Sequence, residues 1–214
     1  MLVKERMTRN PITITPDTSF EEALRVMRKN KVRRLPVLDK DKRLVGIVTE
    51  KDLLYASPSP VTSLDVFELH YLLSKITVKD LMTKEVITVE EDTPLEEAAR
   101  IMADNKIGGL PVMRDGVLVG IITETDLFKI FLELLGAREK GLRLSLLVPE
   151  RKGMLASLTG EIARLGGNIV SLGTFLGEDP TNRLIAVKVQ DVPKEELLAA
   201  MEGVEAKVLD VREV

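Results

Sequence analysis

The stretch Gly46-Ile47-Val48-Thr49-Glu50-Lys51-Asp52-Leu53 occurs twice in the chain. It returns as Gly120-Ile121-Ile122-Thr123-Glu124-Thr125-Asp126-Leu127. Gly, Thr, Glu, Asp and Leu keep their places, and the two positions after the glycine stay aliphatic. Working outward, a shift of 75 positions lays Met7-Thr8 on Met82-Thr83 and Ile12-Thr13 on Ile87-Thr88. The same shift lays Asp17-Thr18 on Asp92-Thr93 and Glu21-Glu22-Ala23 on Glu96-Glu97-Ala98. Asn30-Lys31 falls on Asn105-Lys106, and Leu35-Pro36-Val37 on Leu110-Pro111-Val112. After a one-residue deletion in a turn, Leu44-Val45-Gly46 matches Leu118-Val119-Gly120. So many ordered matches identify an internal duplication.

Each copy reads as β-α-β-β-α. A short β segment (12–15; 86–89) leads to a helix start. Thr18 with Glu21, and Thr93 with Glu96, have capping-box spacing, and Pro94 suits a first helical turn. Phe20, Ala23, Leu24 and Met27 share one helical face, as do Leu95, Ala98, Ala99 and Met102, which marks a core stripe. Two strands follow, 34–38 and 44–49 around Asp39-Lys40-Asp41-Lys42, then 109–114 and 117–123 around Asp115-Gly116, a hairpin signal. Each copy closes with a helix starting near Thr49 or Thr123. Between the copies, Ser57-Pro58-Ser59-Pro60 breaks the chain. Thr62 and Asp65 then have capping spacing for a helix with Val66, Leu69, Leu72, Leu73 and Ile76 on one face. His70 lies off that stripe.

The bulk numbers narrow the function classes. The chain has 214 residues, 44% of them hydrophobic and 30% charged, with a net charge of −3. Near-balanced charge argues against broad electrostatic binding to nucleic acid or an anionic membrane. The chain holds no cysteine and one histidine. That removes a disulfide framework and a thiolate metal site, and makes a zinc centre unexpected. The N-terminus lacks the apolar run of a signal peptide, and no stretch approaches the ~20 apolar residues of a membrane span. The expectation is a soluble, cytoplasmic protein. An enzyme would need a constellation that is missing: there is no phosphate loop, no Gly-x-Ser-x-Gly and no metal cluster. Carboxylate pairs such as Glu21-Glu22 sit on capped helix starts and read as solvated. No catalytic residue and no catalytic cofactor is expected.

Past Gly136 and Gly141, which read as a hinge, the pattern changes. A strand over 142–148 leads through Pro149-Glu150-Arg151-Lys152-Gly153 to a helix over 154–165, with Leu155, Leu158, Ile162 and Leu165 inward. Gly166-Gly167 ends it. Strands follow over 169–176 and 184–189, separated by a turn over 177–182. Asp191 caps a helix with Pro193 in its first turn, and a strand over 204–211 closes the chain. The order βαββαβ is that of a ferredoxin-like split unit: a four-stranded antiparallel sheet with both helices on one face. Its other face would need cover, such as a second copy. The fold class is therefore α+β, two β-α-β-β-α units (1–62 and 63–136) followed by a ferredoxin-like unit (141–214).

With the registered Gly-aliphatic-aliphatic-Thr-x-x-Asp endings laid out, residues 1–135 resemble a tandem pair of CBS domains, a Bateman module. Gly153-Met154-Leu155 and Gly167-Asn168-Ile169 make the last part resemble an ACT domain. The combined order resembles the small CBS–ACT proteins of the acetoin-utilisation protein B type.

The resemblance implies an adenine-nucleotide ligand (AMP, ADP or ATP). Asp52 and Asp126 would grip ribose hydroxyls, with Thr49 and Thr123 facing the sugar or phosphate. Read from the residues alone, Thr-x-x-Asp is equally a helix cap. Thr13 and Thr88, with the backbone before Pro36 and Pro111, would line an adenine slot whose aliphatic walls are Ile14, Leu35, Val89 and Leu110. The copies differ at Arg33-Arg34 against Gly108-Gly109. Two guanidinium groups would neutralise a phosphate, or else stand as solvated strand ends. In the ACT-like part, Lys152, Gly153, Met154 and, across a dimer interface, Asn168 mark a possible effector site. Its two basic residues, Arg151 and Lys152, replace the small polar or acidic residue that commonly reads an amino group, so a purely dimerising role stands beside it.

The implied function is a non-catalytic regulator, a homodimer acting on a protein partner that the sequence does not name, in acetoin or acetyl-CoA metabolism. The alternatives are a scaffold with vestigial nucleotide sites and an enzyme of acetoin catabolism. A nucleotide touching both copies would change their relative geometry or rigidity, and the hinge would pass that change to the ACT pair.

Overall fold

Short, nearly continuous apolar runs bounded by polar turns build the repeated hairpins where the sequence places them. The structure is a computed structural model and describes residues 1–56 and 75–214. Ser57-Pro58-Ser59-Pro60, the helix start at Thr62 and Asp65, and His70 lie outside the described residues. In chain order, a 3-10 helix (Val3–Glu5) and β1 (Thr8–Arg9) precede α1 (Phe20–Asn30), β2 (Arg34–Leu38), β3 (Leu44–Thr49) and α2 (Glu50–Ala56). The second copy runs through α3 (Val78–Leu81), β4 (Val89–Glu90), α4 (Leu95–Asn105), β5 (Gly109–Arg114), β6 (Val117–Thr123) and α5 (Glu124–Leu134). The described chain divides into two compact units, Met1–Leu127 and Phe128–Val214. Among the described residues no helix is long and apolar enough to cross a membrane.

The matched Asn-Lys pairs are helix stops. Lys31 and Lys106 take left-handed backbone at the C-caps, both with φ 54°. Asn30 Nδ2 donates to the Val26 carbonyl and Asn105 Nδ2 to the Ile101 carbonyl, both at 2.8 Å. The helix starts differ from the sequence reading. Ser19, not Thr18, caps α1, its hydroxyl accepting from the Glu22 N–H at 3.2 Å. Thr18 Oγ1 instead accepts from the Thr15 N–H. Pro94 is the N-cap of α4 and supplies no side-chain bond.

What satisfies these helix starts is the leading segment of the other copy. The Leu95 N–H donates to the Met1 carbonyl at 3.1 Å, and the Phe20 N–H to the Ile76 carbonyl at 3.0 Å. The exchange continues along the chain. β1 pairs antiparallel with β6, Thr8 opposite Ile121. Thr83 and Ile47 exchange both backbone hydrogen bonds, at 2.9 and 3.0 Å. Val78 is fully buried in the first copy's core with Phe20, Ala23, Met27, Leu35 and Val48. Each such side chain stabilises the unit by roughly 1.5–3 kcal/mol. A boundary drawn along the sequence therefore does not separate the two cores.

This exchange also accounts for the repeated glycine. A Cβ on Gly46 would overlap Met82 Sδ, and one on Gly120 would overlap Met7 Sδ. The matched Met-Thr and Gly positions are two halves of one contact, made twice.

The second unit continues as β7 (Leu142–Pro149), α6 (Met154–Arg164), β8 (Asn168–Leu176), β9 (Asn182–Gln190), α7 (Lys194–Gly203) and β10 (Lys207–Glu213). Its sheet runs β10-β7-β9-β8, with every neighbouring pair antiparallel. Leu144 and Leu146 of β7, with Ile185 and Val187 of β9, face Leu158, Ile162, Leu197 and Met201 of the helices in one core. Leu155 does not face inward. It is 43% exposed, and Met154 is buried in its place, because the inward phase runs 154, 158, 162.

Gly136 and Gly141 do not form a loose hinge. Lys188, 4% exposed, donates from Nζ to the Gly136 carbonyl at 2.6 Å and the Glu139 carbonyl at 2.8 Å. Gln190 Nε2 donates to the Lys140 carbonyl at 2.7 Å, and Gly141 exchanges backbone bonds with Val214. A buried ammonium with two carbonyl acceptors fastens this connector to β9. Lys188→Met should therefore destabilise the second unit by about 1–3 kcal/mol, because it leaves the buried Gly136 carbonyl and the part-buried Glu139 carbonyl without their charged donor. Limited proteolysis should show faster cleavage within residues 135–141. An unchanged cleavage pattern would mean that the lysine does not hold the connector.

Candidate functional site

The exchanged leading segments meet the ends of the hairpins in two clefts of the first unit. The narrow cleft, about 280 Å³, takes Thr123 and Asp126 from the start of α5 and Ile121 from β6. Its far wall is Asn10, Pro11 and Ile12, with Lys31, Arg33 and Arg34 beyond. The wide cleft, about 570 Å³, takes Thr49, Asp52 and Ile47 from the first copy, with Glu85, Val86 and Ile87 opposite. Lys106, Gly108 and Gly109 complete that set. Position by position the two linings are related by the duplication: Ile12 with Ile87, Ile121 with Ile47, Asp126 with Asp52, Lys31 with Lys106. The clefts are two copies of one site.

Both carboxylates are held by their own threonines. Thr49 donates to Asp52 Oδ2 from its N–H at 2.8 Å and its hydroxyl at 2.7 Å. Thr123 does the same to Asp126 Oδ2 at 3.0 and 2.7 Å. The threonine takes one carboxylate oxygen and leaves Oδ1 outside these bonds. This geometry alone does not make a ligand site. Thr77 and Asp80 make the same pair of bonds, at 2.9 and 2.8 Å, and line neither cleft. Those bonds from Thr77 hold the Asp80 carboxyl below its usual range. What distinguishes Asp52 and Asp126 is the apolar-walled cavity beside each.

The arginine–glycine difference between the copies is steric as well as electrostatic. A Cβ on Gly108 would overlap the Arg34 guanidinium, and one on Gly109 would approach Arg34 Cδ at 3.2 Å. Glycine at these positions leaves the space that Arg34 fills, so Arg33 and Arg34 line both clefts. Arg34 lies 3.9 Å from Glu124, with its side chain 21% exposed. Burial pulls its pKa below the ordinary value, Glu124 opposes that, and Arg33 adds to it. The guanidinium stays protonated near neutral pH.

Of the residues singled out in the sequence, Thr49, Asp52, Arg33, Arg34 and Gly109 come together in the wide cleft, and Thr123 and Asp126 join Arg33 and Arg34 in the narrow one. The proposed aliphatic walls need correction. Leu35 and Leu110 are 0% exposed, Ile14 8% and Val89 6%, all packed in the cores. Strand parity is the reason: Arg34 faces the clefts, so Leu35 faces the opposite way. Thr13 and Thr88 are also outside both linings. Their predecessors Ile12 and Ile87 supply the walls, each 39% exposed. Exposed isoleucines before a repeated threonine, at matched positions, were the available signal. Lys31 and Lys106, in the repeated Asn-Lys pair, are further lining residues that the sequence reading treated only as matches.

In the second unit, Gly153 and Met154 line a cavity of about 350 Å³ with Pro149, Thr174 and Arg183. Gly153 has φ 84° at the N-cap of α6, a conformation that favours glycine. Glu150 is paired with Arg183, and Arg151 with Glu205 at 3.2 Å. Lys152 does not line the cavity. Asn168 sits opposite Gln190, whereas the cavity residue Thr174 sits opposite Ile185. Six strand residues separate them, roughly 20 Å. One chain does not bring Asn168 to Gly153.

Residues 3–59 and 78–133 each match the family model of the CBS domain. The chain belongs to the CBS domain family. Among solved structures, its CBS pair is similar to that of protein MJ0100 in complex with 5′-methylthioadenosine and S-adenosyl-L-methionine. The two are 31% identical with a TM-score of 0.52, over 65% of this chain and 98% of that one. CBSX2 in complex with AMP is 38% identical with a TM-score of 0.50, over 61% and 96%. A Vibrio cholerae protein assigned to acetoin utilization (AcuB) is 33% identical with a TM-score of 0.53, over 64% and 95%.

Proposed function

We propose that the protein is a non-catalytic regulator that senses adenine nucleotides (AMP, ADP or ATP) through its CBS pair. The observation that carries this reading is the doubled cleft. Each has a threonine-held carboxylate beside an aliphatic wall, with an arginine pair at their junction. The carboxylate suits the two hydroxyls of a ribose, the isoleucine faces suit a purine, and the guanidinium groups suit a phosphate. The bound AMP and adenosyl compounds of the similar pairs support it.

The second unit reads as a ferredoxin-like ACT domain over 141–214, following CBS domains at 1–62 and 63–136. Its element order and sheet order support this. It dimerises or takes a second small effector near Lys152, Gly153 and Met154. A second copy is needed to bring Asn168 to that loop, which favours a homodimer. The similarity to the V. cholerae protein supports a role in acetoin utilisation, and through it in acetyl-CoA metabolism. On this reading the regulator is cytoplasmic and acts on a partner protein.

A thermal-shift series with AMP, ADP, ATP, NAD and S-adenosylmethionine tests the sensing role. A ligand at a hundred times its Kd stabilises the folded state by about 2.7 kcal/mol, which raises Tm. A flat response to every adenosine compound at millimolar concentration would leave the scaffold reading. The Thr77–Asp80 pair favours that alternative, since it shows the motif acting as a helix cap alone.

A further inference from the structure

We propose that the two clefts accept only one phosphorylated ligand between them. The narrow cleft takes the nucleotide, and the wide cleft takes an adenosine compound whose 5′ substituent is uncharged or cationic. This rests on the reading that the clefts take adenosine compounds at all.

The duplication assigns ownership of the cations. Arg33 and Arg34 occupy, in the narrow cleft, the positions that Gly108 and Gly109 occupy in the wide one. The wide cleft has guanidinium groups only by borrowing the same two. Its own exchanged residues make it more acidic still, since Glu85 stands where the narrow cleft has Asn10. With the shared pair included, Lys31, Arg33 and Arg34 face Asp126 in the narrow cleft. In the wide cleft Lys51, Lys106, Arg33 and Arg34 face Glu50, Asp52, Glu85 and Glu124.

Charge then decides the order of filling. A phosphate monoester carries about −1.5 to −2 charge near neutral pH. It enters the narrow cleft, where cations exceed acids, and draws the arginine pair toward itself. The wide cleft is left with two lysines against four carboxylates, which repels a second phosphate and welcomes a neutral or cationic group. The wide cleft, about 570 Å³ against 280 Å³, has room for such a substituent.

Calorimetry on the full chain, freed of carried-over ligand, tests this. AMP should bind one equivalent, with any second equivalent at least tenfold weaker. Adenosine should then bind the AMP-loaded protein with one further equivalent. The AMP step should weaken with added salt while the adenosine step stays constant. Asp52→Asn should remove the adenosine step and keep the AMP step. Two AMP equivalents of equal affinity, or exclusion of adenosine by bound AMP, would overturn the division between clefts while leaving nucleotide sensing intact. Absence of binding by both AMP and adenosine would instead remove the sensing reading, and this inference with it.

Discussion

Arg34→Ala should weaken AMP binding by about ten- to a hundredfold, the equivalent of one charge-assisted hydrogen bond at roughly 1.5–3 kcal/mol. Adenosine, which has no phosphate, should bind within about twofold of the native value. Arg34 is poised for this because its present partner is weak: Glu124 lies 3.9 Å away and is 59% exposed. Burial has already removed much of the guanidinium's water. An incoming phosphate therefore replaces a poor contact with a good one, without a large new desolvation cost. Arg34→Lys should recover part of the loss, since an ammonium keeps the charge and loses the planar fork. Asp126→Ala should also weaken AMP, through the ribose, and should leave adenosine in the wide cleft. It also removes the carboxylate that accepts from the Thr123 N–H and hydroxyl at the start of α5, so its melting curve must be recorded alongside. Unchanged AMP affinity in both alanine variants would reject the placement of the nucleotide.

The residues that carry the site were legible in the sequence to different depths. The β2–β3 and β5–β6 hairpins appear at the bounds that their apolar runs and turn chemistry indicate. That information is local: Asp115-Gly116 specifies its turn whatever surrounds it. Thr49, Asp52, Thr123 and Asp126 stood out because the duplication repeats them in register. The leading segments did not. Whether Thr8 pairs with its own copy or with β6 depends on partners more than a hundred residues away, and a repeat offers both choices with equal local sense. The cap of α1 went to Ser19 for the same reason, because the segment from Ile76 to Lys79 sets where that helix can begin. Leu35 and Leu110 were assigned to the adenine slot by the family resemblance, as aliphatic walls, although strand parity turns them inward. The connector was read as a hinge from its glycines. The lysine that fastens it is 52 residues from Gly136, on a strand whose alternation gave no hint of a buried charge.

Gly120→Val should destabilise the CBS pair strongly while substituting no residue of either cleft. A Cβ there would overlap Met7 Sδ and meet the Thr8 carbonyl at 3.1 Å. Methionine can swing aside from one methyl group, but the backbone of β1 cannot move without breaking its pairing with Ile121 and Gly120. Overpacking of this kind costs about 1–3 kcal/mol. For a chain of this size that lowers Tm by roughly 2–4 °C per kcal/mol, provided that the melt is cooperative. Gly160→Ala is the control. Gly160 is helical with no atom within 4 Å of its added Cβ, so it should hold or raise the melting point. Gly120→Ala combined with Met7→Ala should cost less than the two single changes added together, because the second makes room for the first. Strict additivity would mean that the methionine–glycine contact does not fasten the exchanged strand. The consequence for binding follows from the chain path. β1 runs directly into Asn10, Pro11 and Ile12, the far wall of the narrow cleft, so a displaced β1 should weaken AMP binding even though Asp126 and Arg34 are untouched.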